Sequence, residues 1–140
     1  LANEDGVDAI IDIATLTGAA LVSLGSARAP VFGNDQSTVD RVTAAAAAVD
    51  EQVWQLPLEQ KYRPQLDSEI ADIANLGGPF AGATTAALFL EHFVGKTPWA
   101  HLDIAGTMQT EKDDSWRTAG ATGFGARILL EVARRFAPAS

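Results

Sequence analysis

Residues 8–15 form a β-branched, largely apolar run that ends at Thr15-Leu16-Thr17-Gly18 and passes with almost no loop into Ala19-Ala20-Leu21-Val22-Ser23-Leu24. Such a run predicts a strand buried on both faces. The segment 19–24 is short enough for a helix or a second strand, and reads better as a helix. A buried strand feeding directly into a helix belongs to a sheet covered by helices. Ligands of open α/β sheets sit at the carboxyl ends of their strands, so two threonines and a glycine at this point mark a candidate binding turn. Asp12 is the one charged residue that interrupts the apolar stretch 9–14.

The alternation continues along the chain. Pro30-Val31-Phe32-Gly33 predicts a short strand. Ser37, with Asp40 three residues on, reads as a helix N-cap; behind it Val39, Val42, Ala46, Val49 and Val53 recur at helical spacing. Val53-Trp54-Gln55-Leu56-Pro57 reads as an extended connector, held open before its proline. The polar segment 58–73, broken by Pro64, predicts two short helical pieces, and Asn75-Leu76-Gly77-Gly78-Pro79 a loop. Residues 83–94 are apolar nearly all round and predict a buried helix stopped by Gly95. Trp99-Ala100-His101-Leu102-Asp103-Ile104-Ala105-Gly106 predicts a further strand ending in small residues. Residues 108–120, with Trp116 among them, predict a polar loop, and 122–136 a last helix whose Arg134 and Arg135 suit the helix dipole. The expected fold class is α/β, a mixed or parallel sheet sandwiched between helices.

At 140 residues the chain is one domain long and able to bury its own core. A net charge of −8 argues against nucleic acid or an anionic membrane surface as partner, since both need a basic face. No apolar run approaches the roughly 20 residues of a membrane span. Cysteine is absent, which excludes disulfides and thiolate metal sites and is compatible with a cytoplasmic protein. Leu1-Ala2-Asn3-Glu4-Asp5-Gly6 reads as the tail of a helix closing at glycine, so the chain is expected to be a piece of a longer protein.

Few side chains suggest chemistry unaided. His101 and Asp103 alternate on a predicted strand and share a face. They read either as a metal-binding or acid–base pair, or as a buried histidine satisfied by a carbonyl beside an aspartate that caps a loop. His92, on an apolar helix, reads as packing or as exposed at the helix edge. Leu24-Gly25-Ser26-Ala27-Arg28 lacks the glycine spacing of a nucleophile elbow. Gly123-Phe124-Gly125 lacks the third glycine and the preceding strand of a dinucleotide loop. Asp67, Glu69 and Asp72 read as a solvated face. The residues alone lead to an α/β domain with a candidate site at two strand ends.

Five stretches, taken together and in order, resemble the catalytic domain of the leucyl aminopeptidase family. They are Asp8-Ala9-Ile10-Ile11-Asp12-Ile13-Ala14-Thr15-Leu16-Thr17-Gly18-Ala19, Ile70-Ala71-Asp72-Ile73-Ala74-Asn75-Leu76-Gly77, Ala81-Gly82-Ala83-Thr84-Thr85-Ala86-Ala87-Leu88-Phe89-Leu90, Trp99 through Gly106, and Gly120-Ala121-Thr122-Gly123. The resemblance implies a cytoplasmic, hexameric exopeptidase that removes N-terminal residues from peptides using two divalent metal ions, zinc or manganese. Its metal ligands, catalytic lysine and bicarbonate-holding arginine precede the Ala-Thr-Leu-Thr-Gly turn, in a segment expected upstream of Leu1. Residues 1–140 are therefore expected to be the C-terminal portion of the catalytic domain, inactive alone, with no catalytic residue and no metal ligand of their own. The resemblance places the carbonyl of Leu16 and the amide of Gly18 along the substrate backbone, with Thr17 in the same turn. Thr15, Ala105 and Met108 match the pocket for the N-terminal side chain, and Leu76 matches a wall of the next pocket. By the same comparison His101 and Asp103 are not metal ligands. Some members of the family serve as DNA-binding or scaffold proteins, so a non-catalytic scaffold or binding module is the alternative reading; the charge of −8 argues only against a DNA surface within this segment.

Overall fold

The computed structural model describes residues 1–113 and 117–137. Trp116 lies outside the described residues. Strand β1 (Ile10–Ala14) leads into helix α1 (Gly18–Leu24), strand β2 (Ala29–Gly33), helix α2 (Gln36–Ala48) and strand β3 (Val53–Gln55). A 3₁₀ helix (Gln60–Leu66), helix α3 (Gly82–Val94), strand β4 (Trp99–Asp103), the short strands β5 (Gln109–Thr110) and β6 (Gly120–Ala121), and helix α4 (Ala126–Arg135) complete the order. The main sheet is mixed, in the order β1-β4-β2-β3. β1 runs parallel to β4 and β2 parallel to β3, while β4 and β2 are antiparallel.

Alternation along the strands divides the interior in two. Ala29, Val31, Ala100 and Leu102 face α2 and α4, joining Val39, Val42, Ala45, Ala46, Ile128 and Val132. Phe32 and Trp99 face the other way, toward Ala20 of α1 and Ala83, Ala87 and Val94 of α3. The result is the three-layer arrangement expected, with helices on both faces.

Several local expectations shift. β1 is half-buried along its length rather than buried on both faces, because it is an edge strand of this sheet. α2 is capped by Asp35, not Ser37. The Asp35 carboxylate accepts the Thr38 N–H at 2.8 Å and both the Ser37 and Thr38 hydroxyls, and its charge suits a helix N-terminus. The helix ends at Ala48, and Asp50 takes a left-handed φ of 55°, so Val53 begins β3 instead of extending the apolar stripe. The connector 53–57 thus contains a strand. Segment 58–73 holds a single 3₁₀ helix that includes Pro64, not two pieces. Beyond it the Ala74 N–H returns to the Leu66 carbonyl and closes the loop. α3 is not buried all round, since Phe93 is 59% exposed. Segment 108–120 carries the strands of a small hairpin. The last helix starts at Ala126, after the positive-φ glycines 123 and 125.

α4 receives its cap from elsewhere in the chain. Glu51, 2% exposed in the turn before β3, accepts the N–H groups of Gly125 and Ile128 at 3.1 and 3.3 Å. Its other oxygen meets Arg127 Nε at 3.3 Å. A carboxylate at that point satisfies donors that α4 itself leaves open.

Candidate functional site

The last residues of β1 and β4 are register partners, Ala14 opposite Asp103, so the two parallel strands end side by side. The Ile104 N–H donates to the Ala14 carbonyl at 2.8 Å and carries the ladder one step further. Two turns follow, 15–18 and 104–108. The side chain that joins them is Asp103, fully buried. Its Oδ1 accepts the N–H groups of Leu16, Thr17 and Ala105 at 3.1, 3.3 and 3.2 Å. Its Oδ2 accepts the Thr17 hydroxyl at 2.7 Å. Thr17 Oγ1 in turn accepts the Ala20 N–H at 3.1 Å and caps α1.

This clamp leaves the outer side of the 15–18 turn open. Thr15 and Gly18 are exposed and Leu16 is 38% exposed. Gly18 is the first residue of α1, so its amide has no acceptor within the helix. A Cβ built on it would meet no atom of this chain within 4 Å. In the second turn the Thr107 and Met108 N–H groups both reach the Ile104 carbonyl, and the Thr122 N–H binds the Met108 carbonyl at 2.9 Å. Ala105 and Met108 are half-buried there. A Cβ on Gly106 would run into the Gly25 carbonyl oxygen, so glycine lets this turn lie against the end of α1.

Thr15, Leu16, Thr17, Gly18 and Ala105 are thus gathered around one carboxylate, and Met108 follows in the same turn. Leu76 stands apart from that network, 79% exposed on the loop before α3. Its neighbour Gly77 lies against Thr85 in the first turn of α3, and Gly82 at the helix start lies against Ala19 of α1.

Asp103 is the loop-capping aspartate of the second reading of the His101–Asp103 pair. His101 is fully buried, and its partner is a carboxylate rather than a carbonyl: Nδ1 lies 2.6 Å from Asp12 Oδ1. Trp99 Nε1 donates to Asp12 Oδ2 at 2.5 Å, and the Trp99 and Phe32 rings lie near-parallel to the imidazole, at centroid distances of 6.2 and 6.4 Å. Asp12 therefore interrupts its apolar strand because two buried donors from β4 require an acceptor. His92 is exposed and hydrogen-bonds Arg63 through Nδ1, at 2.6 Å. Among the described residues no three His, Asp or Glu side chains come together as a metal site would need.

A cleft of about 870 Å³ borders the 104–108 turn. Ala105, Gly106, Thr107, Thr122 and Phe124 line it, with Asp50 and Glu51 across from them. Of the expected binding residues only Ala105 borders it.

The family model of the cytosol aminopeptidase catalytic domain matches residues 1–130. A probable cytosol aminopeptidase of Synechococcus sp. is 50% identical over 137 residues, covering 96% of this chain and 27% of its own length. One from Roseiflexus castenholzii is 53% identical over 127 residues, covering 90% of this chain and 26% of the relative. Among solved structures, a mutant of tomato leucine aminopeptidase superposes with a TM-score of 0.89 at 39% identity, over 96% of this chain and 26% of its own. The chain spans about a quarter of the length of the relatives it matches. With the mixed three-layer sheet and the paired strand-end turns in place, these matches establish that the chain belongs to the cytosol aminopeptidase family.

Proposed function

We propose that residues 1–140 form the substrate-positioning, C-terminal part of the catalytic domain of a cytoplasmic, hexameric aminopeptidase that releases N-terminal residues from peptides. The observation that carries this reading is the open space over Gly18 beside an exposed Leu16, on a turn held from behind by a buried carboxylate. Nothing larger than hydrogen blocks the approach of an extended peptide to that backbone. A carbonyl at Leu16 and an amide at Gly18 supply one acceptor and one donor, the pair that a peptide strand needs for two main-chain hydrogen bonds. Thr15, Ala105 and Met108 form the pocket for the first side chain. A flexible methionine among small residues suits varied apolar groups. Leu76 walls the pocket that follows.

Among the described residues no three His, Asp or Glu side chains come together to hold the family's two divalent ions, zinc or manganese. Asp103 spends both oxygens on the turns, His101 is paired with Asp12, and His92 with Arg63. The metal ligands belong to the segment that the resemblance places before Leu1, and residues 1–140 alone bind and orient the peptide without hydrolysing it.

Gly18→Val in the full-length enzyme tests the reading. A side chain there meets no atom of residues 1–140, so the substitution leaves the packing of this segment intact. We expect kcat/KM for leucine amide to fall about 100-fold, the scale of a misplaced reacting group, with metal content and melting temperature retained. Unchanged kinetics would remove the turn from the substrate site.

A further inference from the structure

We infer that Asp103 is a positioning residue for substrate binding, which acts by holding the Leu16–Thr17 peptide with its carbonyl toward the substrate. The inference rests on the proposed role of the 15–18 turn. In a trans peptide the carbonyl of one residue and the N–H of the next point in opposite directions, and the described residues contain no cis bond. The Thr17 N–H points back at Asp103 Oδ1. The Leu16 carbonyl, on the other side of the same peptide, therefore points away from the carboxylate. The Leu16 N–H and the Thr17 hydroxyl, bound to the same carboxylate, fix that peptide plane from both sides.

The carboxylate does more than orient. An anionic acceptor on the Thr17 N–H polarises the peptide and strengthens its carbonyl as an acceptor, and hydrogen bonds arranged in series reinforce one another where water is excluded. Asp103 is fully buried. It also binds the Ala105 N–H, so one side chain sets the acceptor for the peptide backbone and the position of a residue of the side-chain pocket. Asparagine at this position keeps the shape and one oxygen but loses the charge, and it turns one acceptor oxygen into a donor.

The test uses two substrates of the full-length enzyme. Leucyl-alanine has one backbone N–H beyond its terminal amine; leucyl-lactate carries an ester oxygen in its place. If the Leu16 carbonyl receives that N–H, Asp103→Asn raises KM for leucyl-alanine about tenfold and lowers kcat less than about twofold. For leucyl-lactate, which has no N–H to give, the KM change stays below about threefold. Equal KM increases for both substrates, or no increase in a folded variant, would overturn the inference. Should Asp103→Asn not fold, the same criterion applies to Thr17→Val, which removes the hydroxyl bond. Thr17→Ser is its rescue and keeps wild-type values. Gly18→Val separates the two failures. If it too leaves KM unchanged, the turn is not the binding element; if it raises KM while Asp103→Asn shows no preference between substrates, only the role of Asp103 falls.

Discussion

The two faces of β4 follow different rules. Ala100 and Leu102 are buried against α2 and α4 in a cluster of Val, Ala, Ile, Leu and Phe, where contact area and shape are the whole requirement. Trp99, His101 and Asp103, the alternate residues of the same five-residue strand, turn polar atoms into the α1/α3 side, where Asp12 and the two turns partner all of them except His101 Nε2, which is buried without a hydrogen bond. The first face could be repacked with other hydrophobic residues of similar volume at small cost. The second could not, because each polar group left unpaired after a substitution costs its full desolvation. One face supplies stability, and the other converts burial into the placement of two turns.

Substitutions can break that division. The largest expected effect on stability is at Leu102→Ala, which empties a fully buried site and is expected to cost about 2–5 kcal/mol. Denaturant unfolding of the full-length enzyme measures it, and the fraction that remains folded should keep the KM of the wild type. A raised KM at unchanged stability would show that the α2/α4 face reaches the site after all. At the other extreme is Asp35→Ala, at the start of α2 and remote from both turns, with an expected cost of about 1 kcal/mol from the lost cap. Hydrogen bonds from Ser37 and Thr38, helped by the charge of Arg41, hold the Asp35 carboxyl below its ordinary value. The folded state thus favours its ionised form. Its contribution is complete above the ordinary carboxylate value of about 4 and disappears as the pH falls through the lower folded value. Wild type and variant should differ in stability at pH 7 and converge in acid. A difference that persists unchanged at low pH would mean that the cap does not act through its charge.

The parts of the molecule written in local patterns were legible beforehand. The strand cores at Ile10–Ala14 and Trp99–Asp103, the body of α2 and the stop of α3 at Gly95 follow from periodicity and from glycine. What escaped were choices made by distant residues. Asp12 reads as an interruption because its partners, Trp99 and His101, stand 87 and 89 positions away. Nothing in the vicinity of Glu51 announces that it caps a helix more than 70 residues later. The half-exposure of β1 depends on strand order, which its own composition cannot show. Ser37 lost the cap to Asp35 because both are good caps two positions apart, and only the carboxylate collects three donors. For the site, the turn at Thr15-Leu16-Thr17-Gly18 stood out from its place at a strand end. The roles of its atoms came from family resemblance, and the carboxylate that organises it was visible only as one of two alternatives for Asp103.

The central claim is that the polar face of β4 presents the Leu16 carbonyl and the Gly18 amide to a peptide. A crystal structure of the full-length enzyme with a non-hydrolysable peptide analogue tests it most directly. The account predicts a ligand N–H within hydrogen-bond distance of the Leu16 oxygen and a ligand carbonyl accepting from the Gly18 N–H, with Asp103 still bound to Leu16, Thr17 and Ala105. A peptide seated elsewhere, for example in the cleft beside Thr107 and Glu51, with the 15–18 turn untouched, would contradict it.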